Sequence, residues 1–295
     1  MTEPQPVHVP VLLDQVVHWL MPRDGQTLVD GTLGGGGHTR RLAAGVGNRG
    51  LVIALDRDPA AIDAAERNLH GLPVKLVHAN FRDLPEVLKL LDIATVDGVV
   101  LDLGLSSDQL ADRERGFSFS AEGPLDLRFD PMSGEPAKKL IQRLSAEHLQ
   151  QLISSYGEER YARRIAEAIV RQRREHPIET SAELAELIRR SVPRAPGGDR
   201  IDPATRTFQA LRIAVNDELK SLDVALRRIP DCLRPGGRMA VISFHSLEDR
   251  RVKEAFRGDD RLKALTSKPI CADDVEVNDN PRSRSAKLRV AERRA

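Results

Sequence analysis

Residues Leu28–Thr39 read Leu-Val-Asp-Gly-Thr-Leu-Gly-Gly-Gly-Gly-His-Thr, and this stretch decides the fold. An apolar run ends in Asp30, a series of glycines follows, and the pattern from Thr39 to Ala44 is helical. The order predicts a strand, a tight loop and a helix. Glycine allows positive φ and close approach of a ligand to the backbone, and a helix N-terminus presents unpaired N–H groups. The stretch therefore predicts a binding site for a nucleotide-like ligand.

A second acidic residue supports this interpretation. The next predicted strand, Gly50–Leu55, is followed by Asp56, 26 positions after Asp30. Nucleotide-binding sheets place a carboxylate on the ribose hydroxyls at a spacing of roughly 20 residues. Asp56 is therefore the predicted ribose ligand.

The acidic residue before the glycines bears on the choice of ligand. Asp30 would repel the pyrophosphate of a dinucleotide, which normally lies on the helix N-terminus, but its carboxylate could accept a hydrogen bond from an ammonium group. S-adenosylmethionine carries an ammonium and a sulfonium and no phosphate. The motif resembles the first motif of class I methyltransferases, with a nicotinamide cofactor as the alternative ligand.

The rest of the first hundred residues predicts a parallel, doubly wound sheet. A helix over Pro59–Leu69, a strand over Val74–His78 and a buried strand ending at Asp102 alternate in the way such sheets require. Asp102 would then lie in the same crevice as Asp30 and Asp56. Phe81 follows the third strand, where it could contact an adenine or belong to the core.

Composition limits the remaining possibilities. The 295 residues include 45 Lys and Arg and 44 Asp and Glu, so net charge does not indicate a nucleic-acid partner. No apolar run approaches the roughly 20 residues of a membrane span, and the N-terminus lacks a signal peptide's apolar core, so we expect a cytoplasmic protein with no membrane partner. Cys232 and Cys271 lack metal-ligand spacing, and we predict free thiols and no metal site.

A helical insert is predicted to interrupt the sheet domain. From Ala137 to about Val192 the apolar periodicity is helical. We expect three segments: 1–110 as the first part of the sheet domain, 111–202 as a loop and helical insert that recognises the substrate, and 203–295 as the second part with a basic tail. Arginines recur along one predicted helix of the insert, at Arg160, Arg163, Arg164, Arg171, Arg173 and Arg174. They form either a solvated helix face or a surface that contacts phosphates.

After the insert, a helix over Gln209–Arg228, a Pro-Gly-Gly turn and a strand over Arg238–Phe244 are predicted to resume the sheet. His245 follows this strand. It has two possible roles, a base oriented by a nearby carboxylate or the cap of a helix that begins at Ser246. The basic tail Pro281–Arg294 could contact RNA or complete a sheet edge.

Seven strings spread over nearly the whole chain resemble one family, the RsmH (MraW) family of small-subunit ribosomal RNA cytosine-N4 methyltransferases. The strings are His8–Leu13, Asp30–Thr32 with Gly36–His38, Leu101–Gly104, Glu114–Phe119, Tyr156–Arg160, Ala204–Ala210 and Ser243–Arg250. The resemblance implies a class I, Rossmann-like methyltransferase sheet with an inserted helical domain. It also implies S-adenosylmethionine as donor and a cytidine in the decoding region of the small ribosomal subunit as acceptor, and it allows a homodimer.

The resemblance also implies particular donor contacts. It implies that Gly36, Gly37 and His38 contact the methionine part of the donor and that Asp56 binds its ribose. Further donor contacts are implied for Phe81, Asp102 and Gln109. The glycines, Asp56 and Asp102 also follow from the sequence pattern, whereas His38 and Gln109 rest mainly on the resemblance.

The residue that accepts the N4 proton stays open at this point. Many amine methyltransferases use an Asp/Asn/Ser-Pro-Pro-aromatic motif, but this chain has Asp102-Leu103-Gly104-Leu105. Asp102, a backbone carbonyl near Gly104 and His245 are the alternatives. Methylation of DNA or of a protein amine, and a non-catalytic RNA-binding protein, are the rival functions.

Overall fold

The computed structural model describes residues 10–112, 114–118, 123–193 and 202–295. His8, in the first of the family-like strings, and Phe119, at the end of the fourth, lie outside these residues. The chain divides into two compact units. The sheet unit contains the chain up to Ser106 and from Leu219 onward, and the helical unit contains Ser107–Glu218.

Within the described residues, seven strands form one sheet in the order β3-β2-β1-β4-β5-β7-β6. The strands are β1 (Thr27–Asp30), β2 (Leu51–Asp56), β3 (Val74–His78), β4 (Val96–Asp102), β5 (Leu233–Ser243), β6 (Leu262–Ala264) and β7 (Lys287–Arg293). Strands β1 to β5 pair in parallel, and β7 is antiparallel to both β5 and β6. The predicted α/β sheet is confirmed.

The α-helices of the described residues are α1 (Leu13–Leu20), α2 (Gly37–Val46), α3 (Pro59–Asn68), α4 (Leu84–Leu90), α5 (Ser107–Ala111), α6 (Ala137–Arg143), α7 (Ala146–Gly157), α8 (Ala162–Glu175), α9 (Ser181–Ser191), α10 (Ala204–Asn216), α11 (Glu218–Cys232), α12 (Ser246–Gly258) and α13 (Asp274–Asp279). Helices α5 to α10 belong to the helical unit. None of the helices in the described ranges combines the length and apolarity needed to cross a bilayer.

Buried apolar side chains cover both faces of the sheet, because successive residues of a strand point to opposite sides. In β4, Val99 and Leu101 pack on one face with residues of α4, α11 and α12. Val100, between them, packs on the other face with residues of α1 and α2. The sheet is therefore doubly wound, and the carboxyl ends of β1, β2 and β4 lie side by side at one edge.

Several predicted elements have different bounds in the structure. The predicted helix Gln209–Arg228 is interrupted at Asp217, whose φ of 51° is left-handed and ends α10. The predicted turn before the last parallel strand is a bulge, since β4 pairs Val96 with Leu233 and Gly98 with Arg238. The basic tail forms β7 inside the sheet, where Arg289 bonds Asp249 with Nε 2.6 Å from Oδ1.

Helix α10 belongs to the helical unit, which therefore extends to Glu218, beyond the predicted end at residue 202. Gln209 Nε2 donates to the Tyr156 carbonyl at 3.1 Å. A Cβ on Gly157 would lie 2.5 Å from the Arg206 carbonyl oxygen, so α7 and α10 are in close backbone contact. Contacts between residues so far apart in the chain produce no local sequence pattern, so the sequence does not indicate this boundary. The first boundary, after Ser106, also lies before the predicted one at residue 110.

Candidate functional site

Three carboxylates converge at the edge formed by the ends of β1, β2 and β4. Asp30, Asp56 and Asp102 are the last residues of these three adjacent parallel strands. Asp30 interacts electrostatically with both of the others. Ligands of such sheets bind at this edge, so the predicted constellation is assembled at the expected place.

Asp30 shapes the glycine-rich loop. Its side chain has no exposed surface. Thr39 Oγ1 donates to Oδ2 at 2.7 Å, and the Thr32 N–H donates to Oδ1 at 3.1 Å. The carboxylate thus links the end of β1 to the first turn of α2. The structure does not support the hypothesis that Asp30 bonds directly to an ammonium group, because a ligand can sense this buried carboxylate only through its field.

The loop is also bonded to both neighbouring strands. The Leu33 N–H donates to the Leu55 carbonyl at 2.9 Å, and Thr32 Oγ1 accepts the Asp102 N–H at 2.6 Å. Gly31 has no room for a side chain, because a Cβ would lie 2.4 Å from Leu101 Cδ2. The backbone at the centre of the site is consequently held in one conformation.

Two of the loop glycines have positive φ, 46° at Gly34 and 77° at Gly36, and Gly36 immediately precedes α2. Gly37 is a glycine for another reason. A Cβ there would lie 2.8 Å from Pro10 Cγ. The N-terminal segment, which is remote in sequence, therefore excludes a side chain at Gly37.

Asp56 is positioned to accept further hydrogen bonds. Oδ2 accepts the Gly34 N–H at 2.8 Å, and Oδ1 accepts the Asp58 N–H at 2.9 Å. Each oxygen retains acceptor capacity, as two ribose hydroxyls would need. Burial raises the pKa of Asp56 to about 6, although the two backbone hydrogen bonds oppose the rise.

His38 links the N-terminal segment to Asp102. Its Nε2 lies 3.0 Å from the Val11 carbonyl, which can only accept, so Nε2 carries a proton. Nδ1 then faces Asp102 Oδ2 at 3.7 Å. His38 is buried. His38 thus lies between the N-terminal segment and Asp102, and a direct contact of His38 with the donor remains a prediction.

Asp102 has one buried oxygen, Oδ1, that finds no hydrogen-bond partner among the described residues. Burial raises the pKa of this carboxyl to about 6, while the charges of His38 and Arg282 oppose the rise. The chain encloses this oxygen at the ligand edge of the sheet and leaves its acceptor capacity unused, while the side chain as a whole is 18% exposed. Its pKa allows Asp102 to exchange a proton near neutral pH.

His245 is the N-cap of α12. Its Nδ1 accepts the Glu248 N–H at 3.4 Å, and its Nε2 lies 3.0 Å from Glu248 Oε1. Glu248 Oε2 in turn accepts the Phe244 N–H at 2.9 Å. The helix cap is thus observed, while Nε2 is buried beside the Glu248 carboxylate without a hydrogen bond among the described residues, so a role of His245 as a base stays a prediction.

The other two predicted donor contacts lie in different units. Phe81 begins a short 3-10 turn, Phe81–Asp83, packs partly buried against the core, and has its Cβ 3.0 Å from the position of a Cβ on Gly31. It therefore adjoins the loop and belongs to the core at once. Gln109 lies buried in α5 of the helical unit. Their roles toward the donor remain predictions.

The strand order, with antiparallel β7 between β5 and β6 and a glycine-rich loop after β1, defines a class I methyltransferase sheet. The chain matches the model of the MraW methylase family over residues 5–294 and belongs to that family. The resemblance noted in the sequence is thereby confirmed.

Three relatives illustrate the similarity, and each is named ribosomal RNA small subunit methyltransferase H. The protein from Rhodopirellula baltica is 51% identical, covering 97% of this chain and 91% of the relative. Those from Thermomicrobium roseum and Citrifermentans bemidjiense are each 48% identical over 97% of this chain, covering 93% and 98% of the relative.

The unpartnered carboxylate of Asp102 should reduce stability. Its native pKa of about 6 exceeds the ordinary value of 3.8, so the cost is present above pH 6 and is lost as the pH falls toward about 4. We expect Asp102→Asn to raise the free energy of unfolding by about 1–3 kcal/mol at pH 8 and by little at pH 4. Urea unfolding at both pH values measures this, with the exposed Asp63→Asn as control. Equal effects of Asp102→Asn at the two pH values would contradict the assignment.

Proposed function

We propose that the chain transfers a methyl group from S-adenosylmethionine to the exocyclic N4 amine of a cytidine in the decoding region of small-subunit ribosomal RNA. The main support for this proposal is the similarity, along 97% of the chain, to relatives named ribosomal RNA small subunit methyltransferase H. We place the proposed reaction in the cytoplasm, where small ribosomal subunits are found.

The charge of the site supports this donor. Asp30, Asp56 and Asp102 gather negative charge at the sheet edge, and Asp30 interacts with each of the other two. S-adenosylmethionine carries a sulfonium and an ammonium, so this field attracts it, whereas the field repels the pyrophosphate of a nicotinamide dinucleotide. Asp56 has acceptor capacity for the ribose, and Gly34 and Gly36 supply the left-handed backbone of the loop.

When bound, the donor supplies a methyl group on a positively charged sulfur. The lone pair of a cytosine N4 is delocalised into the ring, so the chain must hold the amine in line and favour a more pyramidal nitrogen. Alignment of this kind can account for a large part of an enzyme's rate enhancement. The target base must also leave its stack to enter the site.

We assign the proton acceptor to the carboxylate of Asp102. As the N4–carbon bond forms and the carbon–sulfur bond breaks, nitrogen becomes positively charged and gives one N4 proton to the acceptor. The products are N4-methylcytidine and S-adenosylhomocysteine, and the proton passes on to solvent. The support is the unpartnered Oδ1 and the pKa of about 6, which leaves Asp102 ionised at neutral pH. His38 acts as a positioning residue, because it lies against Oδ2.

Nucleoside mass spectrometry tests the reaction. We expect small ribosomal subunits that lack the modification, incubated with the protein and methyl-labelled S-adenosylmethionine, to acquire label in N4-methylcytidine. Subunits that already carry the modification are the control and should acquire none. Label in another nucleoside, in DNA or in a protein amine would show that the acceptor is not the proposed cytidine. Absence of label, with intact donor binding, would refute the ribosomal acceptor.

Asp102→Asn tests the proton acceptor. At saturating donor and RNA we expect the methyl-transfer rate to fall about 10²–10³-fold, as loss of a general base does, with a much smaller change in donor Kd. The wild-type rate should rise with pH through about 6, the pKa of Asp102, and the variant should lose this dependence. Asp102→Glu should recover part of the rate. An unaltered pH profile in Asp102→Asn would assign the proton to another group.

A further inference from the structure

Five of the six predicted arginines fall into two groups in the structure, and the sixth, Arg174, is exposed and does not line the cleft described below. Three of the arginines predicted from this region make contacts within the helical unit. Arg163 bonds to Glu167 at 2.9 Å, Arg173 donates to the Leu144 carbonyl at 2.7 Å, and the guanidinium of Arg160 lies 4.5 Å from the centre of the Tyr161 ring. These contacts give each of the three arginines a structural role within the helical unit.

Arg164 and Arg171 differ from these. Both are exposed, and no ion pair or hydrogen bond of their side chains is found among the described residues. They are seven positions apart, so they lie on the same face of α8. Together with Arg190 of α9 they line a cleft of about 300 Å³ between the two helices. We call this the arginine cleft.

The arginine cleft contains more positive than negative charge. Arg164, Arg171 and Arg190 line it together with a single carboxylate, Glu175. Arg190 also lies 3.7 Å from Glu186, but both side chains are well exposed, so water and salt screen this pair. The chain as a whole has a net charge of only +1. The positive charge is therefore a local property of the cleft.

The lining residues indicate the chemistry of the ligand. Guanidinium groups present forked N–H donors that match the oxygens of a phosphate. Gln172 adds an amide, and no aromatic side chain among the described residues lines the cleft, so bases have no stacking platform there. Such a site holds a nucleic-acid backbone in position and does not read its sequence.

We propose that the arginine cleft binds the phosphodiester backbone of the RNA substrate, at a site built wholly within the helical unit. The inference rests on the proposed function, since it takes the substrate to be RNA. It assigns the cleft a role in substrate affinity and none in the methyl-transfer step. The helical unit would then contribute binding energy through α8 and α9, separately from the carboxylates of the sheet unit.

Arg171→Gln and Arg163→Gln form a matched pair, because each removes one exposed positive charge from α8 and only Arg171 lines the cleft. The measurement is Kd for a small-subunit RNA fragment as a function of salt. We expect Arg171→Gln to weaken binding about 3–10-fold near 0.1 M salt and to reduce the log–log salt slope by about 0.7–0.9, the value for one lost phosphate contact. Arg163→Gln should leave the slope unchanged.

The triple variant Arg164→Gln/Arg171→Gln/Arg190→Gln should reduce the slope by about 2 to 3, raise KM for the RNA substrate, and leave kcat and donor Kd unchanged. Thermal unfolding checks that it is folded. Equal slopes for Arg171→Gln and Arg163→Gln would contradict RNA binding at the arginine cleft. If the slope falls in Arg171→Gln but the wild type methylates no cytidine, RNA binding at the cleft stands and the proposed function is refuted.

Discussion

The buried carboxylate of Asp30 fixes the geometry on which the site depends. Thr32 and Thr39 donate to its two oxygens, so the end of β1 and the first turn of α2 are held at a set separation with the glycines between them. Thr32 then bonds through its hydroxyl oxygen to the backbone of Asp102 on β4. One buried acid therefore organises the loop and connects it to the neighbouring strand. A buried carboxylate without such donors would be strongly destabilising.

The same arrangement places negative charge where a ligand binds. Asp56 and Asp102 both have pKa values raised to about 6, chiefly by burial, and the charge of Asp30 contributes to both shifts. A protein selected for stability alone would avoid this cluster, because each ionised group is partly desolvated near another. A cationic ligand relieves the repulsion. Active sites commonly retain this kind of local instability because their chemistry requires it.

The sequence predicted the elements whose signals are local. The glycine-rich loop predicted the β1–α2 corner, and Pro59 predicted the start of α3, where the structure adds Asp58 as the N-cap. It did not predict what remote contacts decide: Pro10 leaves no room for a side chain at Gly37, and α10 joins the helical unit through its close contact with α7. Asp30 and the arginines of α8 were identified from the sequence, but their roles depend on partners that only the folded chain brings together.

The central claim is that the carboxylates at the ends of β1, β2 and β4 form a receptor for a cationic methyl donor. Calorimetric titration of the protein with S-adenosylmethionine, and separately with NADH, tests it most directly. We predict saturable binding of one S-adenosylmethionine per chain, about 10–100-fold weaker in Asp56→Asn because the amide is a poorer acceptor for ribose hydroxyls, and no measurable binding of NADH. Binding of NADH in preference to S-adenosylmethionine, or no binding of the methyl donor, would contradict the account.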